Sequence, residues 1–373
     1  MAVRPCFSDM GVGQKPGSGN ILKNSDLSAV LNPSVTEAAS YLQKQFSEAR
    51  PFRHVVIEHF FNPSFCQRLC AEFPAFDTRA ALNENGEIGG KATQEKIQKL
   101  GASFRLLDEV VQSQSFRELI GEITGIPNLQ YDPHYFGGGT HENRHGQDLD
   151  PHVDFNFHPI TRQHRRLNLI VYLNPEWQDE WGGSLQLHKD PYLDPLQDEI
   201  VTLTPLMNRC VIFETTESSW HGFARINLPQ EQQELSRKSF ALYYYTDTRP
   251  AEQTAEEHST VYVERHMPER FQAGLTLAET DLQELRNLFA RRDQHMRRLY
   301  GNIQHLYGET NRLRQQLSRI SAPEETEDAK EVPTDQAQLL IQQLRNRVSE
   351  LEQSTSWRIT APIRAIKRLF QSR

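Results

Sequence analysis

The chain has 373 residues, 37% of them hydrophobic and 24% charged, with 19 Phe, 11 Tyr and 4 Trp. That is enough apolar mass for one sizeable core with appendages, and it excludes wholesale disorder. The net charge of −8 is uneven: residues 285–320 carry +6, residues 321–373 sum to zero, and residues 1–284 carry −14, a field that argues against a nucleic-acid partner.

No apolar run approaches the roughly 18 residues a membrane span needs. The first twenty residues lack the apolar stretch of a secretory signal, so a cytoplasmic location is expected. Cys6, Cys66, Cys70 and Cys210 form neither a CxxC pair nor a disulfide framework and read as reduced thiols.

Residues 1–33 are rich in Gly, Ser, Asn and Pro without periodicity, which predicts a disordered arm. A folded region is expected over 34–250. It opens with a helix carrying Ala38, Tyr41, Leu42 and Phe46 on one face, a strand over 54–60 and a helix over 63–73. Two helices over 104–123 should break near Ser113. From about 127 to 248 the runs LQYDPHYF, HVDFNF, LNLIVYLN, SLQLH, IVTLT, CVIFET and SFALYYYT are β-branched or aromatic and separated by turn residues. So many short strands suggest an all-β sandwich or jelly roll, and with the helices before it an α+β fold.

Residues 251–320 read as helical. Leu282, Leu285, Phe289, Arg292, Met296, Leu299, Ile303, Leu306, Thr310, Leu313, Leu317 and Ile320 alternate steps of four and three, a heptad seam weakened by Arg292 and Thr310. An acidic, Pro-bounded linker covers 321–335, and 336–373 hold a second short seam (Ala337, Ile341, Leu344, Val348, Leu351) and a tail. Two readings stay open: helices folded back on the barrel, or a coiled coil joining copies of the chain into a homo-oligomer. The tail from Thr355 to Arg373 mixes five basic residues with Trp357, Ile359, Ile363, Ile366, Leu369 and Phe370 and no acid. It suits a membrane surface or an acidic partner, which would place the protein at the inner face of a membrane.

Six of the fourteen histidines fall between His134 and His164. His152-Val-Asp154 sits in a predicted strand, where residues two apart project from one face and can reach one ion. His221, in SSWHGF after the strand CVIFET, supplies a third donor. Two imidazoles and a carboxylate make a facial triad suited to Fe(II). Downstream, Arg237 opens the strand SFALYYYT and can hold the distal carboxylate of a dicarboxylic co-substrate, with Tyr172 on a strand beside it.

As an ordered set, HVD, RRLNLIVYLN, WGGSLQLH, NRCVIFET followed by SWHGF, and RKSFALYYYT resemble the 2-oxoglutarate and Fe(II)-dependent dioxygenases, prolyl 4-hydroxylase-like branch, over roughly residues 130–248. The resemblance implies a double-stranded β-helix core. It implies Fe(II) on His152, Asp154 and His221, and 2-oxoglutarate on Arg237 and Tyr172. Ser239 matches the R-x-S pattern, and Tyr135 resembles a tyrosine found before the first iron ligand. The implied chemistry consumes O2 and 2-oxoglutarate, releases succinate and CO2, and hydroxylates an unactivated carbon, with ascorbate as an accompanying cofactor. Asp154 speaks for hydroxylation, since related halogenases lack this carboxylate.

His141-Glu-Asn-Arg-His145 spells HExxH, a zinc-protease motif, yet Gly137, Gly138, Gly139 and Gly146 surround it and predict a loop. His158 and His164 read as turn or surface residues, and Trp181 and Trp220 as packing at the rim. A function of another class is a non-catalytic jelly-roll adaptor that binds a ligand and oligomerises through its coiled coil. For the enzyme, the family branch points to a peptide or protein substrate. The stretch Ser354 to Arg364 resembles a tail recurring in bacterial surface-polysaccharide assembly proteins, which points to a glycan-related substrate or a polysaccharide-assembly partner.

Overall fold

A computed structural model describes residues 27–81, 91–194, 196–263, 267–268 and 270–321, together with 342, 343 and 346. Helices α1 (Pro33–Glu37) and α2 (Ala39–Glu48) come first, then strand β1 (His54–Ile57), helix α3 (Pro63–Ala71) and strand β2 (Ala92–Gln94). Helices α4 (Ala102–Gln112) and α5 (Gln114–Thr124) part where expected, because the Ser113 hydroxyl accepts from the Phe116 N–H at 3.2 Å and caps α5. Nine strands follow: β3 (Gln130–Tyr131), β4 (Gly139–Asn143), β5 (Leu149–Val153), β6 (His164–Tyr172), β7 (Leu185–His188), β8 (Ile200–Leu203), β9 (Cys210–Glu214), β10 (Trp220–Phe223) and β11 (Arg237–Thr246). Strand β12 (Val261–Tyr262) and the 43-residue helix α6 (Glu279–Ser321) complete the described chain.

The strands form two antiparallel sheets. The larger runs β1-β9-β6-β11-β4-β2, with β3 added to β11, and the smaller runs β12-β5-β10-β7-β8. This is the α+β jelly roll that the strand pattern predicted. One face of the larger sheet packs on the helices: Leu167, Leu169 and Val171 of β6 and Phe240, Leu242 and Tyr244 of β11 share a core with Phe104, Leu107 and Val111 of α4 and Phe116, Ile120 and Ile123 of α5. Alternate residues turn inward between the sheets, where Tyr172 of β6 and Val211 and Phe213 of β9 meet Leu185 and Leu187 of β7. Away from an irregularity in the β6–β11 pairing, period two thus assigns the residues of these strands to the helical layer or to the interior.

Several expectations need correction. The disordered arm does not reach residue 33: residues 1–26 lie outside the described chain, but Leu27, Val30 and Leu31 are buried, and Leu31 bridges to Phe61. HENRH is not a loop. Its first three residues lie in β4, paired on both sides, with Thr93↔His141 toward β2 and Ser239↔His141 toward β11. Past residue 250 the chain does not pass directly to helix, since β12 pairs Tyr262 with His152. The linker over 321–335 and the tail after it fall outside the described residues, apart from Ser321 and three positions of the second seam region.

Helix α6 folds back on the smaller sheet. Arg291 forms ion pairs with Asp148 and, at 3.4 Å, with Asp150; His295 stacks on Tyr262 with centroids 4.5 Å apart; Asn302 donates to Ser259 Oγ at 2.7 Å. These residues, spaced four and seven apart, form a docking face one position from the heptad seam, and Phe289 and Met296 of the seam stay substantially exposed. Among the described residues no helix is long and apolar enough to cross a membrane.

Gly139 sets the approach of β2 to β4. Its φ is +89°, and a Cβ there would lie 2.2 Å from the Gln94 carbonyl oxygen. Gly139→Ala should therefore lower the urea midpoint, by about 1–3 kcal/mol in stability. An unchanged midpoint would show that β2 does not pack on β4 this way.

Candidate active site

The register of β5 against β10 brings two histidines together, His152 directly opposite His221. Their rings lie 4.2 Å apart, and both are nearly buried. Each Nδ1 lies 2.9 Å from a backbone carbonyl oxygen, that of Asp150 for His152 and of Ser219 for His221. A carbonyl oxygen only accepts, so each Nδ1 carries the proton and each Nε2 presents its lone pair inward. Asp154, two residues beyond His152, completes the group: its carboxylate oxygens lie 3.8 Å from His152 Nε2 and 3.5 Å from His221 Nε2. One donor atom from each of the three falls within 4.8 Å of the others, a clustering met at no other group of three such side chains among the described residues.

A β-bulge supports the carboxylate. In the β6–β11 ladder Tyr244 pairs with Leu167 but Tyr245 with Arg165, so one extra residue turns Arg165 into the interior. Its guanidinium lies 3.1 Å from Asp154 Oδ2 and donates to Asn168 Oδ1 at 2.7 Å, while Asn168 Nδ2 donates to Asp154 Oδ2 at 2.8 Å. The guanidinium also rests 3.7 Å from the Tyr243 ring centroid. Burial alone pushes the Asp154 carboxyl up, but Arg165 with the two histidines outweighs it and holds the group well below the usual carboxylate range. Burial lowers His152 to about 3, with neighbouring His221 adding to the shift, and burial lowers His221 as well. The triad therefore stands as two neutral imidazoles and one carboxylate, a donor set that fits Fe(II).

Arg237 and Tyr172 are brought together on the interior face. Arg237 donates from Nε to the Gly183 carbonyl at 2.6 Å and from Nη2 to the Tyr172 hydroxyl at 3.2 Å, with its guanidinium 4.3 Å from the Phe223 ring centroid. Its residue is 5% exposed, and among the described residues no carboxylate pairs with it. A buried guanidinium with only neutral partners fits the carboxylate of a ligand. Ser239 is buried on the same face of β11, opposite Tyr172 and His141.

Tyr135 lies elsewhere, which corrects its expected role. It stands in the helical layer: its hydroxyl donates to Asp108 Oδ1 of α4 at 2.9 Å and its ring packs on Tyr131 and Phe240. The zinc-protease geometry is absent too, because His141 faces the interior from a strand while His145 accepts from the Leu228 N–H at 2.9 Å in the turn beyond. His158 is neither turn-exposed nor a ligand; it is 1% exposed and pairs with Asp132 at 3.3 Å. Sequence reasoning missed Arg165, Asn168 and Lys91. Asn168 carried a signal, since it shares the period-two face of Tyr172.

Comparison with known proteins agrees with this geometry. A family model described as the 2OG-Fe(II) oxygenase superfamily matches residues 138–245, the stretch that holds the triad, Tyr172 and Arg237. The match spans under a third of the chain. Mouse prolyl 3-hydroxylase OGFOD1 is 25% identical to the chain over 270 residues, covering 63% of this chain and 44% of the mouse protein, so the chain matches less than half of that relative's length. Among solved structures, a Trichoplax adhaerens prolyl hydroxylase in complex with a hypoxia inducible factor peptide fragment shares 15% identity over 61% of this chain and 94% of its own, with a TM-score of 0.40. A Pseudomonas putida prolyl-4-hydroxylase shares 17% identity over 55% and 98%, with a TM-score of 0.37.

The protonation states of the site give it a pH signature. In the metal-free protein His152 titrates at about 3, against about 6.5 in the unfolded chain, so between those values the unfolded chain binds the extra proton. This contribution is fully present above about pH 6.5 and is lost as pH falls toward about 3; Asp154, held low, adds a loss below its unfolded value of about 3.9. At pH 5 His152 alone should cost roughly 2 kcal/mol relative to neutral pH. Urea melts in chelator at pH 7.5 and pH 5 check this, and equal midpoints would contradict the buried neutral imidazoles.

Proposed function

We propose that the chain is a 2-oxoglutarate-dependent hydroxylase whose His152, Asp154 and His221 bind Fe(II) and whose Arg237 and Tyr172 bind the far carboxylate of 2-oxoglutarate. The observation that carries this reading is a two-His, one-carboxylate donor set and a buried arginine with only neutral partners, linked through Phe213 and Tyr172 on the interior side of the sheets. Fe(II) bound there supplies the activation of dioxygen, coupled to decarboxylation of 2-oxoglutarate to succinate and CO2. The chain's own residues do the rest. The Asp150 and Ser219 carbonyls keep each imidazole in the tautomer that offers Nε2, and Arg165 with Asn168 keeps Asp154 ionised and oriented. Arg237 fixes one end of the co-substrate, so that its reacting end meets the metal. The apolar wall of Leu185, Leu187, Val211 and Phe213 keeps water from one side of the chamber.

For the substrate we infer a peptidyl, prolyl-like C–H. The mouse relative's description as a prolyl 3-hydroxylase supports a peptide over a glycan, whose sequence signal lies outside the described residues.

Two variants test the assignment. Asp154→Ala should leave the fold intact by circular dichroism but abolish Fe(II) binding and lower succinate formation to the no-enzyme background; full turnover would refute it. Arg237→Lys keeps the charge and loses the planar fork, so the dissociation constant for 2-oxoglutarate should rise about tenfold, worth about 1.4 kcal/mol. Calorimetry reads that change, and an unchanged constant would move the carboxylate grip elsewhere.

A further inference from the structure

Of the charged groups in the chamber, Asp154 is matched by Arg165 and Arg237 awaits a carboxylate; Lys91 remains. We propose that Lys91 is a co-substrate-binding residue that grips the 2-oxo-acid end of the co-substrate from the β2 edge of the interior face. This rests on the co-substrate reading above.

Strand register places Lys91. Partners across a sheet share a face, and Thr93↔His141, His141↔Ser239 and Ser239↔Tyr172 make one row on the interior side. Lys91, two residues before Thr93, belongs to the same face, in the row of Asn143↔Arg237. Its ammonium reaches to 3.4 Å from His141 Nε2, and His141 Nε2 in turn lies 3.0 Å from the Gly137 carbonyl oxygen, which also accepts from the Tyr243 hydroxyl at 2.9 Å. Tyr243 is the residue on which the Arg165 guanidinium sits, so Lys91 leans toward the Asp154 end of the chamber.

No ion pair to a carboxylate holds Lys91 among the described residues, and the group that touches it, His141, is a buried neutral imidazole. A cation kept partly buried beside neutral partners is stabilised by an incoming anion. The interior face then offers two cations without a carboxylate partner among the described residues, which suits a dianion with a carboxylate at each end. A 2-oxo acid whose near carboxylate meets Lys91 and whose far carboxylate meets Arg237 satisfies both. Recognition of the near end by Lys91 is independent of chain length, whereas recognition by Arg237 requires the second carboxylate.

That difference makes the test. The full-length protein loaded with Mn(II) is titrated calorimetrically with 2-oxoglutarate and with 2-oxobutyrate, which keeps the 2-oxo-acid end and lacks the far carboxylate. Lys91→Met should weaken both ligands by a similar factor, about tenfold for loss of a charge-assisted bond. Arg237→Lys should weaken 2-oxoglutarate alone, and Lys91→Arg should recover most of the loss. Wild-type affinity for both ligands in Lys91→Met, confirmed folded by circular dichroism, would overturn the inference, the more so if the KM for a peptide substrate rises instead. Absence of any 2-oxoglutarate binding by the wild-type protein would overturn the co-substrate reading itself, and so is distinct.

Discussion

The register between β5 and β10 is the constraint on which the site depends. With side chains alternating at period two, a slip of one residue would send His152 or His221 to the outer face of the smaller sheet and leave one donor behind. The same pairing supplies the carbonyl partner of each imidazole from two residues upstream, so strand geometry fixes both the position and the tautomer of the histidines. Support comes from outside as well. The Asp150 carbonyl holds His152 while the Asp150 side chain pairs with Arg291 of α6, and Tyr262 stands between the His152 and His295 rings. The long helix is thus a buttress of the smaller sheet at the strand that carries His152.

Inside the jelly roll, apolar and charged groups are divided between two regions. Phe52, Leu185, Leu187, Val211 and Phe213 fill one region as an ordinary core, which carries stability without polar demands. The other gathers the buried Arg165 and Arg237 with the partly buried Asp154 and Lys91, and removing ionised groups from water is unfavourable unless each finds a partner. Asp154 and Arg165 meet within the chain, and Asn168 bridges them, accepting from Arg165 and donating to Asp154. Arg237 and Lys91 meet only hydroxyl, carbonyl and imidazole groups among the described residues. Buried charge left without a counterion costs stability, and a chamber arranged this way has a standing affinity for anions.

How much of this was legible in the sequence depends on how local each signal is. His152, Asp154, His221, Arg237 and Tyr172 follow from period-two alternation and an ordered motif set, and the structure brings the first three together and pairs the last two. Arg165 could not be read, because alternation assigns it to the helical layer and only the bulge opposite Tyr244 and Tyr245 turns it inward. Lys91 sits beside a three-residue edge strand, too short to carry a pattern. Tyr135 was misassigned because its direction is set by a left-handed backbone, φ 50°, and by Asp108, 27 residues away on α4. The glycines before His141 resembled a loop, although Gly139 is what lets β4 open against Gln94. The heptad seam of α6 marked a real apolar stripe, but ion pairs and stacking, invisible to a hydrophobic count, chose the face one residue over.

The central claim is that one chamber of this chain binds a metal at one end and a dicarboxylate across its width. A crystal structure of the protein with Mn(II) and 2-oxoglutarate tests it most directly. The account predicts the metal on His152 Nε2, His221 Nε2 and an Asp154 carboxylate oxygen, with the far carboxylate of the co-substrate on Arg237 and the Tyr172 hydroxyl. A metal held by His141 or His145, or a co-substrate bound away from Arg237, would contradict it.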